Sequence, residues 1–114
     1  MDAFEELQVW KKSTELAVSI YNSLKSCNDF SLKDQISRSA ISIPSNIAEG
    51  YERNTAKQYV YFLRVAKGSC GELRSQLYIC KQTGLLNPEL ADQLIFDSKE
   101  ISRMLQGLIK RYNS

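Results

Sequence analysis

The chain of 114 residues contains no histidine, so the commonest general base, the usual activator of a nucleophile and the commonest metal ligand are missing together. Carboxylates, three thiols and a row of cations are what remain for chemistry. Glu49 and Glu52 share a helical face only if the helix between them continues past Gly50. A carboxylate metal site would need Glu49, Glu72 and Asp97 to converge, whereas metal sites in helix bundles combine Glu with Glu-x-x-His ligands. Gly68-Ser69-Cys70-Gly71 lies inside a helical pattern, with no strand before it and no Gly-Lys-Ser/Thr ending, so it is not a phosphate loop. Cys27, Cys70 and Cys80 are odd in number and lack metal-type spacing. Cys70 and Cys80 fall at apolar-periodic positions, where cysteine behaves as a small hydrophobe, and buried, reduced thiols are expected. These residues imply a protein that is not an enzyme and takes no cofactor or metal.

The cations say more. Residues 53–82 hold Arg53, Lys57, Arg64, Lys67, Arg74 and Lys81 against a single acid, Glu72, for a net charge of +5, while the rest of the chain carries −3. Residues 57 and 64 are seven apart, as are 67, 74 and 81, and Tyr61 and Tyr78 interleave with them. Such a basic helical stripe with aromatics can meet phosphates and stack on bases of RNA or DNA. The same pattern also fits a solvated helix face, or a stripe paired with the acids of a fourth helix, Glu89, Asp92, Asp97 and Glu100. A sequence pI near 8.4 is below the strongly basic footprint of dedicated nucleic-acid binders.

These residues have to be held by helices. Ile36, Ala40, Ile43 and Ile47 recur at four, three and four, one face of a helix, yet Pro44 stands among them. Its ring clashes with the carbonyl of Ala40 and it lacks the N–H that would bond there, a cost of about 3 kcal/mol against alanine. Ser37, Ser39, Ser42, Ser45 and Asn46 surround it and could satisfy the freed carbonyl. The expectation is a second helix kinked at Pro44 and closed by Gly50, with Asn46 bonding backbone near the kink and Glu49 reaching another helix or subunit. Ile41 and Ala48 point away from its main face, toward a second surface to be covered.

The first helix is expected from about Glu5 to Ser26, with a seam of Leu7, Trp10, Thr14, Ala17, Tyr21 and Leu24, widened by Leu16 and Ile20. Ser31, with Asp34 in the first turn, reads as the start of the second helix. Asn54 or Thr55 caps the third and longest helix, whose seam is Tyr59, Phe62, Ala66, Cys70, Leu73, Leu77 and Cys80 and which ends at Gly84. The glycines in its small run, 68 to 71, call for close approach by another helix. Asn87 and Pro88 open the fourth helix, with Leu90, Leu94, Ile101, Leu105, Leu108 and Tyr112 on one face. Short connections make the architecture all-α, an up-down antiparallel four-helix bundle.

Residues 1–114 are expected to form a single domain, with 43% hydrophobic and 25% charged residues, ordinary for a globular chain and long enough for a core without disulfides. No apolar run approaches the ~18 residues of a membrane span. Met-Asp-Ala-Phe-Glu-Glu has none of the features of a signal peptide, so a cytoplasmic protein with no membrane partner is expected.

Ser42-Ile43-Pro44-Ser45-Asn46-Ile47-Ala48-Glu49-Gly50 also resembles the signature of the small four-helix-bundle proteins first noticed as reading frames in intervening sequences of bacterial 23S rRNA genes. Leu7-Gln8-Val9-Trp10-Lys11-Lys12-Ser13 is similar to the family's opening Leu-x-Val-Trp run. Phe62-Leu63, Ala66, Gly68-Ser69 and Glu72-Leu73 are similar to its third-helix pattern. The matches keep the family's order from about residue 4 to the end. The resemblance implies a four-helix bundle commonly assembled as a homo-oligomeric pentamer, with no established catalysis and Pro44, Ser45, Asn46, Glu49 and Gly50 in the motif. The family's frequent ribosomal label follows gene location rather than a ribosomal role. A related branch, typically much more basic, is the accessory protein of diversity-generating retroelements, which binds reverse transcriptase and nucleic acid. Two functions follow. The first is a self-assembling scaffold or interaction protein, supported by Ile41, Ala48, Val60 and Ile79 off the seams. The second is an accessory module binding rRNA or serving a reverse transcriptase through the basic third helix.

Overall fold

The computed structural model describes residues 3–113. A short 3-10 turn at Phe4–Glu6 leads into α1 (Gln8–Ser23), followed by α2 (Phe30–Tyr51), α3 (Ala56–Thr83) and α4 (Pro88–Tyr112). Each helix packs on its neighbours in sequence and α4 closes back on α1, which is an up-down four-helix bundle. At 1.5 Å per residue the 28 residues of α3 span about 42 Å, and they set the 43 Å length of a molecule only 20 by 19 Å in section. Among the described residues, no helix is long and apolar enough to cross a membrane.

Caps explain the boundaries. The Asp29 side chain accepts from Leu32 N at 3.1 Å and starts α2. Ser31, expected in that role, lies inside the first turn, where its hydroxyl accepts from Gln35 Nε2. Thr55 Oγ1 caps α3 through Gln58 N at 3.2 Å. Gly84 ends α3 in the left-handed region (φ 78°), where a β-carbon would be strained. Asn87 Oδ1 accepts from Glu89 N and Leu90 N, with Pro88 in the first turn of α4.

The core is built from Val9, Leu16, Ile20 and Leu24 of α1 and its C-cap, Ile36, Ala40, Ile43 and Ile47 of α2, Tyr59, Val60, Leu63, Ala66, Cys70, Leu73, Leu77 and Cys80 of α3, and Ala91, Leu94, Ile95, Ile101, Leu105 and Ile109 of α4. This corrects several expected seams. In α1 the buried row is Val9, Ser13, Leu16 and Ile20, continued by Leu24, while Tyr21 is exposed. Leu7 and the 3-10 turn precede the helix, so the seam runs one residue out of the expected phase. In α3, Leu63 rather than Phe62 fills the centre, and Val60, expected outside, is buried. In α4, Leu90 and Tyr112 are exposed and Ala91, Ile95 and Ile109 take their places. Small polar residues mislead the eye here. Ser13 and Ser98 are buried because their hydroxyls donate back to Trp10 O and Ile95 O, at 3.0 and 2.7 Å.

α2 runs through Pro44 without interruption. Ile36, Ile43 and Ile47 are fully buried, and burying each is worth about 1.5–3 kcal/mol. Together they exceed the ~3 kcal/mol that the proline costs. Gly50 does not close the helix, which continues to Tyr51, and its φ is not positive. Its role is contact: a β-carbon at Gly50 would lie 2.7 Å from Phe62 Cβ and 3.2 Å from Tyr59 O. The close approach of two backbones expected at Gly68 and Gly71 occurs here instead, since a β-carbon at either of those meets nothing within 4 Å.

Candidate functional site

Two regions gather the residues that the sequence singles out. At the α2–α3 crossing, Asn46 Nδ2 donates to Ser42 O at 2.8 Å and to Ser42 Oγ at 2.9 Å. Ser42 Oγ in turn meets Ser69 Oγ of α3 at 2.8 Å. Asn46 thus bonds backbone beside Pro44, although the carbonyl it takes belongs to Ser42 and not to Ala40. Within the chain, Glu49 does not meet another helix. Its carboxylate takes two hydrogen bonds from Arg53, four residues on, at 2.8 and 3.1 Å. Arg53 then lies over the Phe62 ring, 4.9 Å from its centroid, while Ser45 faces solvent. Beside Gly50, the rings of Tyr51, Tyr59 and Tyr112 stack edge to face with centroids 5.9 and 5.2 Å apart, joining α2, α3 and α4. Burial, then the neighbouring Tyr112 and Tyr51, pushes the Tyr59 hydroxyl up to about 12.

The thiols belong to the core. Cys70 and Cys80 are fully buried, all three cysteines are free, and half-buried Cys27 donates to Asp29 O. Burial pushes the Cys70 thiol up to about 12, against a smaller lowering by Arg74. The Cys80 thiol is also raised, first by burial. Neither is a nucleophile at neutral pH. The three carboxylates of the conceivable metal site go separate ways: Glu49 to Arg53, Glu72 to a polar groove between α2 and α3, Asp97 to a groove between α1 and α4.

The basic stripe divides when it is placed on α3. Arg53 is held by Glu49, and Lys81 pairs with Asp92 of α4 at 2.8 Å. Lys57 points to solvent. Arg64, Lys67 and Arg74 line one continuous groove between α3 and α4. Lys67 Nζ reaches Gln106 Oε1 across it at 2.6 Å. From α4 the groove receives Lys99, Ser102 and Arg103. These two cations were not read from the sequence, where the acids of α4 drew attention. The signal was there: 99, 103 and 106 fall at four and three, one face of a helix. Glu100 pairs with Arg103, but it lines the α1–α4 groove with Glu15, Asp97 and Lys12 on the other flank of α4. Tyr78 is within about 40° of Arg74 around the helix axis, whereas Tyr61 is about a third of a turn from Lys67. The structure therefore joins Arg64, Lys67 and Arg74 to Lys99 and Arg103, and leaves Arg53, Lys57, Lys81 and Tyr61 apart.

Comparison with known proteins agrees with this architecture. A crystal structure of a protein of unknown function from the S23 ribosomal protein family of Bacteroides thetaiotaomicron superimposes with a TM-score of 0.84 at 30% identity, covering 90% of this chain and 98% of the other. The comparison with curated proteins finds no match. The model of the 23S rRNA-intervening sequence proteins matches residues 5–107, nearly the whole bundle, and the chain belongs to that family.

Proposed function

We propose that this protein is a non-enzymatic, self-assembling bundle, a scaffold or interaction protein whose outer helix faces meet further copies. The supporting observation is a set of apolar side chains outside the core. On α2, Phe30, Ile41 and Ala48 recur at eleven and seven residues, which keeps them on one stripe, and Phe30 and Ile41 are 72% and 55% exposed. Val18 and Tyr21 are exposed on the adjoining α1, and Tyr61, Val65 and Ile79 on the outer side of α3. Single exposed apolar residues are ordinary, but aligned ones on neighbouring helices mark contact surfaces. Five copies are the number that the family resemblance implies. Light scattering of the purified protein at micromolar concentration should give a mass near five times the 13.0 kDa chain, and Ile41→Lys should lower it without lowering helix content. A stable monomer would remove the proposal.

A second reading, binding of RNA or DNA, whether alone or beside a reverse transcriptase, draws support from the α3–α4 groove. Five cations from two helices line it and no carboxylate does. Only Arg103 among these five is in an ion pair among the described residues.

A further inference from the structure

We propose that the α3–α4 groove is a phosphodiester-binding site centred on Arg74, which carries the backbone of a single-stranded nucleic acid along the bundle; this rests on the nucleic-acid reading above. Arg74 lines the groove, is only partly exposed, and has no ion-pair partner among the described residues. A partly desolvated guanidinium without a counter-ion is a strong hydrogen-bonding partner for an anion. No carboxylate lines the groove to supply one. Lys99 and Arg103 add their charges from the facing helix, and the groove has a volume of about 340 Å³ around them. A further anion is the partner that this arrangement leaves room for.

The shape of the site selects the anion. From Arg64 to Arg74 the cations extend about 15 Å along α3, at 1.5 Å per residue. A free phosphate or a lone carboxylate would meet one end of this row, whereas a strand presents phosphates in succession. Arginine forks match phosphate oxygens in pairs. Tyr78, 42% exposed and one turn beyond Arg74, stands where a base can stack. The lining offers cations, Ser102, Gln106 and the edge of Ile109, groups that hold a backbone without reading sequence. The competing occupant is the acidic α1–α4 groove of a second copy, but one of its three acids, Glu100, is already engaged by Arg103.

The test is fluorescence anisotropy of a labelled single-stranded RNA about 16 nucleotides long, with sedimentation and thermal melting on the same samples. With four cations engaged, the log–log salt slope should be about −3, a loss of about 50-fold in affinity between about 50 and 200 mM salt. Arg74→Gln/Lys99→Gln should weaken binding at least about tenfold and flatten the slope by about 1.4. Lys67→Gln/Lys99→Gln, which leaves Arg74 and its packing in place, should act in the same direction if the first variant folds poorly. Lys25→Gln, on the far side of the bundle, should leave binding unchanged. If the parent protein does not bind the RNA, the nucleic-acid reading falls and the site with it. If the parent binds and both groove variants bind equally well, the site alone is wrong. Groove variants that lose assembly while keeping RNA affinity would give the groove to the carboxylates of a second copy and overturn the proposal.

Discussion

Replacing Gly50 with alanine sets two effects of known sign against each other. Alanine in a helix interior is worth about 0.8–1.0 kcal/mol over glycine, and the φ of Gly50 is not in the left-handed region, so no backbone strain opposes it. The new β-carbon would, however, stand 2.7 Å from Phe62 Cβ and 3.2 Å from both Tyr59 Cδ1 and Tyr59 O. Two of these three atoms are backbone or attached directly to it, so no rotamer change relieves them and α2 must move away from α3. Overpacking of this kind costs about 1–3 kcal/mol, and rigid neighbours argue for the upper end. The net loss is then about 2 kcal/mol. For 114 residues, 1 kcal/mol corresponds to about 4 °C in melting temperature, so Gly50→Ala should melt about 8 °C lower. Gly71→Ala carries the same propensity gain, and its β-carbon meets nothing within 4 Å; it should melt about 4 °C higher. Thermal unfolding by circular dichroism of the three proteins decides the matter. A Gly50→Ala variant as stable as Gly71→Ala would show that the helices are not in contact at this crossing.

Asn46→Ala removes two hydrogen bonds, worth ~1 kcal/mol each, and regains ~0.6 kcal/mol of helix propensity; its melting temperature should fall by about 4 to 8 °C. Glu49→Ala breaks an ion pair whose partners are about half exposed, so chemical denaturation should register less than ~1 kcal/mol. Alkaline pH should destabilise the fold, because the folded state holds the Cys70 and Tyr59 protons more tightly than the unfolded chain does. That stability is complete below pH 9 and is lost as pH rises toward 12. Melting curves of Cys70→Ala should therefore fall less steeply than the parent's between pH 9 and 10, where the tyrosine does not yet contribute.

The architecture was legible because its signals are local. Asn87-Pro88, Thr55 and Gly84 mark helix ends through backbone chemistry that involves a few neighbouring residues, and the structure places ends at each of them. Seam phase was less legible where a serine could pass for a surface residue. Ser13 and Ser98 satisfy their hydroxyls within their own helices, so they enter the core without a partner that a pattern search would notice. The glycines failed for a related reason. Residues 50, 68 and 71 look alike in sequence, and only the position of α3 singles out Gly50 as the one against which another helix packs.

The basic stripe shows how tertiary placement sorts equal-looking charges. Six cations at near-heptad spacing read as one surface, yet the helix rotates them into different company. Arg53 is taken by Glu49 of the previous helix and Lys81 by Asp92 of the next. What is left on the α4 side, Arg64, Lys67 and Arg74, becomes a groove only because α4 brings Lys99 and Arg103 to face it. In its middle turns α4 separates the two signs, Asp97 and Glu100 toward α1 and Lys99 and Arg103 toward α3. Net charge cannot report such a division, since the two flanks largely cancel in the sum of +2. A modest net charge therefore does not argue against a strand-binding groove. The potential that a polyanion would meet there is set chiefly by Arg64, Lys67, Arg74 and Lys99, since Arg103 is paired with Glu100, and opposite charges across the width of the bundle are attenuated by screening beyond a Debye length of about 8 Å at physiological salt.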